Sequence, residues 1–115
     1  MARVINGDIW MPRGDTFERP VHIIVGENEY TPTEDDTVVF RLKRKDFTAF
    51  NQEFKDETAL IEINIPVSTM ILTIPPSATE QLHFGDYYYD IRWTDVNGKN
   101  KTFVHDKLLH LTPKV

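Results

Sequence analysis

The segment from residue 82 to residue 98 contains a run of alternating aromatic residues that constrains the fold more than any other part of the chain. Alternate side chains of an extended segment share one face, and here one face carries Tyr87, Tyr89, Ile91 and Trp93. The opposite face carries Tyr88, Asp90 and Arg92. This period of two predicts a half-buried β-strand whose aromatic face lies in the core.

A turn signal follows this strand directly. Asn97-Gly98 is a dipeptide that readily adopts positive φ at consecutive positions. The sequence therefore predicts that the chain reverses there and pairs with a strand that begins near Thr102.

Length and composition exclude several classes of protein. The 115 residues fit a single domain spanning residues 1-115 with one modest core, and the absence of cysteine excludes disulfides, thiolate zinc sites and cysteine nucleophiles. No apolar run approaches the roughly 20 residues of a membrane span, and the N-terminus lacks a secretory signal pattern, so we expect no membrane insertion. The formal net charge of -5 opposes attraction to phosphate backbones, so we expect no nucleic-acid partner.

The one basic cluster in the chain spans residues 41–45. Arg41 and Lys43 alternate there with Phe40 and Leu42, as in a strand with one apolar face. This pattern predicts that both cations lie on a solvated outer face.

Further strands are predicted wherever apolar residues alternate. The segments are 4–11, 17–25, 37–44, 61–65, 70–74, 86–94 and 101–111. A change of phase near His105 and Asp106 predicts a bulge in the last of them. Ser77 as a cap, with Glu80 completing a capping box, predicts a short helical turn before the aromatic strand.

About seven short strands without long helices predict an all-β fold, an immunoglobulin-like antiparallel β-sandwich with one short helical turn. A small barrel is the alternative. Tyr87 stands at the start of a late strand, where a tyrosine corner forms a hydrogen bond to backbone a few residues upstream, so we predict that role for it.

The chain carries more large apolar residues than a small core needs. Residues 45–58 carry aromatic groups at spacings of three and four, which suits either a short amphipathic helix or a long loop. These aromatics either cover one open end of the sandwich or form a contact patch with residues near the N-terminus. The candidate interaction surface consists of Trp10, Met11, Phe47, Phe50 and Phe54.

The order of these segments resembles the immunoglobulin-like N-terminal domain of bacteriophage baseplate upper proteins and related small tail-associated proteins of phages and prophages. The resemblance rests on Arg13-Gly14-Asp15-Thr16-Phe17, on the strand 37–44 and above all on Leu82-x-x-Gly85-Asp86-Tyr87-Tyr88-Tyr89-Asp90-Ile91. It continues through Thr94-Asp95-x-Asn97-Gly98-Lys99 and Leu109-x-Leu111-Thr112-Pro113. It covers most of the chain, and none of its motifs is catalytic.

The resemblance implies a non-enzymatic virion protein that is made in the bacterial host cytoplasm and takes part in tail or baseplate assembly. Its expected partners are other phage structural proteins, or further copies of itself as a homo-oligomer. The alternative is a carbohydrate-binding or adhesion module that uses Trp10, Tyr88 and the acidic loop at residues 27–36 as its ligand face.

No residue pattern in the sequence predicts catalysis, a cofactor or a metal site. His105 and His110 lie five apart in a strand, which places them on opposite faces unless a bulge intervenes, and no nucleophile is placed beside Asp106. The acidic loop has enough carboxylates for calcium but lacks the spacing of an EF-hand. Arg13-Gly14-Asp15 matches the integrin tripeptide, yet the same residues suit a turn before a strand.

Overall fold

The structure, a computed structural model, describes residues 3–5, 7–44 and 59–113. Over these residues the fold is all-β with a single short helix, as predicted. The elements are β1 (Arg3–Ile5), β2 (Asp8–Pro12), β3 (Phe17–Pro20), β4 (Ile23–Val25), β5 (Asn28–Tyr30), β6 (Thr37–Arg44), β7 (Ala59–Asn64), β8 (Ile71–Ile74), α1 (Pro76–Thr79), β9 (Gly85–Thr94) and β10 (Asn100–Thr112).

One large sheet and two small ones form the two layers of a sandwich. The large sheet has six strands in the order β1-β2-β10-β9-β6-β7, β3 pairs with β8, and β4 pairs with β5. In the large sheet, β10, β9, β6 and β7 follow the G-F-C-C′ order of a variable-type immunoglobulin sheet. The pairing of β2 with β10 is parallel, whereas the sequence predicted antiparallel pairing throughout. The chain leaves β2 for the opposite layer, so no hairpin dictates how β2 joins β10.

The core lies between the aromatic face of β9 and the strands β3 and β8. Tyr87, Tyr89, Ile91 and Trp93 are all buried, which confirms the predicted core face of the aromatic strand. Apolar residues from the other strands complete this core: Ile9, Met11, Phe17, Ile23, Val38, Phe40, Leu42, Ile65, Leu72, Ile74, Leu109 and Leu111.

Two of the predicted strands are each divided in the structure. The first breaks at Gly7, whose φ of 87° allows β1 to fold back antiparallel onto β2. The second breaks after Pro20, so that β3 and β4 belong to different sheets. Pro20 has no backbone N–H to donate to a ladder, and the strand ends there.

A hairpin lies where the sequence indicated only a polar loop. Strands β4 and β5 pair from Ile23 with Tyr30 to Val25 with Asn28, so two residues connect them. Gly26 is the first of these and has a φ of 64°, the position where a type II′ turn takes a positive φ. The Gly-Glu connection is less familiar than Asn-Gly, and the polar strand β5 has no apolar alternation to reveal it.

The predicted hairpin between β9 and β10 is present, and residues 95–99 form its loop. Thr94 pairs with Asn100, and the N–H of Gly98 donates to the carbonyl of Asp95. Only Gly98 of the Asn-Gly pair has a positive φ, at 78°. Register shifts between Thr102 and Lys107 confirm the predicted bulge in the last strand.

The short helix α1 is present, but its predicted cap is wrong. The helix begins at Pro76 with Pro75 as its N-cap, and no side chain caps it. Proline at the first helical position has a preorganised φ and no N–H to satisfy, so this helix starts without help from Ser77. Thr79 is buried, and its hydroxyl oxygen accepts from the N–H of Gly14 at 3.0 Å.

Candidate functional site

The outer face of the six-stranded sheet carries a cluster of charged side chains from three adjacent strands. Antiparallel register places Arg41 of β6 between Asp90 of β9 and Glu62 of β7. Lys43 and Arg92 occupy the next positions on the same face, because residues two apart in a strand point the same way. These five residues are named the outer-face cluster.

Asp90 is the centre of the outer-face cluster. Its Oδ2 lies 3.0 Å from Lys43 Nζ and 3.7 Å from Arg41 Nη1, and its Oδ1 lies 4.0 Å from Arg92 Nε. Asp90 and Lys43 have relative exposures of only 2% and 3%. Charged groups this deeply buried require partners, since transfer of a lone ion out of water costs several kcal/mol.

The prediction that Arg41 and Lys43 lie on a solvated face is therefore wrong for Lys43, and the Arg41 side chain is only 12% exposed. Alternation correctly separates these cations from the apolar side of β6, but it cannot show that a carboxylate on the neighbouring strand neutralises them. The sequence signal for this ion pairing is the presence of two alternating charged patterns in separate strands, Arg41-x-Lys43 and Asp90-x-Arg92.

Two buried polar atoms of the cluster lack hydrogen bonds. Among the described residues, neither Asp90 Oδ1 nor Arg92 Nε has a hydrogen-bond partner. The two atoms face each other at 4.0 Å, which is an ion-pair distance and too long for a hydrogen bond. The cluster therefore holds its buried charges by ion pairing, and its exposed members are Arg92, at 40%, and Glu62, at 62%.

A shallow depression opens beside Arg41 and Arg92 at the β7 side of the sheet. It has a volume of about 400 Å³ and is lined by Val39, Arg41, Glu62, Asn64, Arg92 and Thr94. Glu62 is well exposed on its rim, and its Oε2 accepts from Arg41 Nε at 3.2 Å. The depression thus offers guanidinium donors, a carboxylate and an amide to a molecule that approaches the sheet.

Trp10 and Met11 of the predicted interaction surface have opposite environments. Met11 is fully buried between the layers, so its assignment to a contact surface is wrong: in β2 it shares the core face with Ile9. Trp10 is half-buried on the other face, where its ring stacks on His110 at 4.3 Å between centroids. His110 Nδ1 in turn lies 2.6 Å from Asp86 Oδ1.

Phe47, Phe50 and Phe54, the other members of that predicted surface, lie outside the described residues. The side chains of residues 103–106 also lie outside them, so the proximity of His105 to Asp106 stays a prediction. Of the two histidines considered for a shared metal, only His110 is placed, and its Nδ1 faces Asp86.

Tyr87 makes the contact that defines a tyrosine corner. Its Oη donates to the carbonyl oxygen of His83 at 2.7 Å, four residues upstream and just before β9. Arg13, which follows β2, also contacts this corner. Its guanidinium donates to the carbonyl oxygen of Leu82 at 3.2 Å, and its guanidinium carbon lies 4.1 Å from the centre of the Phe84 ring. Arg13 in the Arg-Gly-Asp tripeptide therefore serves a structural turn.

The acidic loop uses its innermost carboxylate within the fold. Asp36 accepts from Tyr30 Oη at 2.6 Å, from the N–H of Thr33 at 2.8 Å and from Trp93 Nε1 at 3.2 Å. The Tyr30 hydroxyl and the Thr33 N–H lower the pKa of Asp36, and the carboxylate raises the pKa of Tyr30. Within the described residues, no three acidic or histidine side chains gather as metal ligands.

The alternative ligand face is not assembled as expected. The acidic loop packs at the Trp93 end of β9 through Asp36, whereas Trp10 lies at the Asp86 end through His110. These two ends of β9 are seven residues apart, or about 23 Å at 3.3 Å per residue. Trp10 and Tyr88 share a sheet face with the outer-face cluster, but the acidic loop does not join them.

Comparison with protein-family models, with curated proteins and with solved structures found no match for this chain. In the described residues no helix is long and apolar enough to cross a membrane.

Proposed function

We propose that this protein is a non-enzymatic structural protein of a phage or prophage tail or baseplate, and that it binds neighbouring structural proteins through the outer face of its six-stranded sheet. The observation that carries this proposal is the outer-face cluster, in which the partly exposed Arg92 and the exposed Glu62 flank the buried Asp90. A protein neighbour that brings one carboxylate and one cation to this face pairs with both exposed groups.

Charge arrangement supports a protein partner more than a small substrate. The cluster combines three cations with two carboxylates on a rigid sheet, and such mixed patterns determine the register and choice of partner. The adjoining depression is open and shallow, whereas sites for small molecules are usually deep and mostly apolar. The sequence resemblance to tail-associated domains supplies the class of partner.

The test is mass-spectrometric detection of the chain in phage particles purified by gradient sedimentation from an induced culture of its source. We expect recovery in fixed proportion to tail proteins. An Asn64→Trp variant places a large ring in the depression and should be absent from the particles, whereas Glu18→Trp, on an exposed position of β3, should be incorporated normally. Absence of the wild-type chain from intact particles would refute the proposal.

A second candidate function is carbohydrate binding, which the stacked pair of Trp10 and His110 favours. Aromatic rings beside carboxylates can stack on sugar rings and accept hydrogen bonds from hydroxyls, and Asp86 supplies such a carboxylate here. A glycan array with wild type and Trp10→Ala would support this function only if binding depends on the indole.

A further inference from the structure

A small apolar cavity opens at the edge of the sandwich, away from the outer-face cluster. It lies between the layers where β1 and β2 approach β3, and its volume is about 120 Å³. Among the described residues, β3 pairs only with β8, so this side of the small sheet is not closed by another strand. The core residues that line the cavity are Ile9, Phe17, Leu72, Tyr89 and Ile91.

Arg19 lies at the rim of this cavity, in a position unusual for a charged residue. It shares the inward face of β3 with buried Phe17 and pairs across the strands with buried Leu72. Its guanidinium carbon lies 5.8 Å from the centre of the Phe17 ring, and the side chain is exposed. No carboxylate among the described residues forms an ion pair with it.

The size of the cavity limits what enters it. A dry apolar cavity of about 150 Å³ accommodates benzene, so about 120 Å³ suits one ring or one branched alkyl group. Among the described residues that line it, the single charged group is the Arg19 guanidinium, which binds carboxylates through two parallel N–H donors. The two features together match a molecule with an apolar part of that size attached to a carboxylate.

We propose that this cavity binds a small monocarboxylate, with its ring or branched alkyl group among the core side chains and its carboxylate on Arg19. The interaction is independent of the proposed structural role, since it uses the opposite side of the large sheet and no residue of the outer-face cluster.

The test is titration of the folded protein with phenylacetate, followed through the NMR methyl signals of Leu72 and Ile91. We expect saturable shifts with wild type and roughly fivefold to tenfold weaker affinity for Arg19→Gln, the scale of one partly exposed charge-assisted hydrogen bond. Lys99→Gln removes the same charge in the β9–β10 turn, does not line the cavity and should bind as wild type. Neutral phenylacetamide should bind to wild type and to Arg19→Gln with the same weak affinity.

A cavity-filling variant tests the apolar half of the proposal separately. Val21 is half-buried and also lines the cavity, so Val21→Phe should fill the space and abolish the methyl shifts while Arg19 is kept. The proposal is overturned if phenylacetate causes no saturable shift in wild type, if Arg19→Gln binds it as tightly as wild type does, or if a folded Val21→Phe protein still binds it.

Discussion

Asp90→Asn should reveal how strongly the outer-face cluster depends on its one buried carboxylate. The substitution keeps the shape of the side chain but removes the charge that faces Lys43 Nζ at 3.0 Å. The Lys43 side chain, 4% exposed, then loses the carboxylate charge nearest its Nζ, beside two arginines of the same sign. Removing one partner of such a buried pair costs about 3–5 kcal/mol in the free energy of unfolding.

Urea denaturation followed by tryptophan fluorescence measures this loss. With a slope of about 2 kcal/mol per molar urea, the midpoint should fall by roughly 2 M. The matched control is Glu62→Gln, which also neutralises a carboxylate partner of Arg41, but one that is 62% exposed. Its loss should be about 0–1 kcal/mol, as for other exposed ion pairs.

A double variant separates charge burial from lost packing. Adding Lys43→Met to Asp90→Asn removes the ammonium that has lost this carboxylate and should restore much of the lost stability, since apolar replacements of buried pairs are often neutral. The reasoning is refuted if Asp90→Asn unfolds within about 0.5 kcal/mol of Glu62→Gln, or if Lys43→Met gives no recovery in the Asp90→Asn background.

Three further predictions concern the corner, the acidic loop and the core. Tyr87→Phe removes the hydrogen bond to the His83 carbonyl and should lower the free energy of unfolding by about 1 kcal/mol in urea titrations. A loss smaller than the error of the fit would show that the tyrosine corner does not stabilise the fold. The pKa of Asp36 is lowered in the folded protein, so its carboxylate stabilises the fold above the unfolded-state pKa of about 4, and that contribution is lost as the pH falls through the folded-state value. The midpoint of thermal unfolding should therefore fall more steeply on acidification in wild type than in Asp36→Asn, and parallel curves would contradict this. Met11→Ala should cost about 2–5 kcal/mol because Met11 is fully buried, whereas Trp10→Ala, half-buried on the outer face, should cost clearly less in the same denaturation assay; equal losses would contradict the assignment of the two residues to opposite faces.

The aromatic strand shows what alternation can predict. Its core face from Tyr87 to Trp93 is buried as expected, because a period of two depends only on the geometry of an extended chain. The same rule also assigns Arg41 and Lys43 to the correct side of β6. The rule says nothing about the neighbouring strand. The burial of Lys43 against Asp90 therefore cannot be predicted without knowing that β6 pairs with β9.

The sequence predictions that the structure contradicts have local physical causes. Met11 was assigned to a contact surface because the chain carries more large apolar residues than a small core needs, but the pairing of β2 with β10 holds its side chain between the layers beside Ile9. The sequence does not predict the hairpin of β4 and β5, because β5 is short and polar and has no apolar alternation. The outer-face depression combines residues from three strands, and single-strand patterns cannot place them together.

The parallel pairing of β2 with β10 affects the order in which the protein can fold. Ile9 pairs with Leu109, and the carboxylate of Asp8 accepts from the N–H of Leu108, so these contacts join residues 100 positions apart. Synthesis proceeds at about 5–20 residues per second, so roughly 5–20 seconds pass between the synthesis of β2 and the synthesis of β10. During that time Ile9 and Met11 lack the strand that holds them over the core. Synthesis of β10 therefore completes the large sheet, and a nascent chain interrupted before β10 exposes apolar residues to chaperones and to other nascent chains.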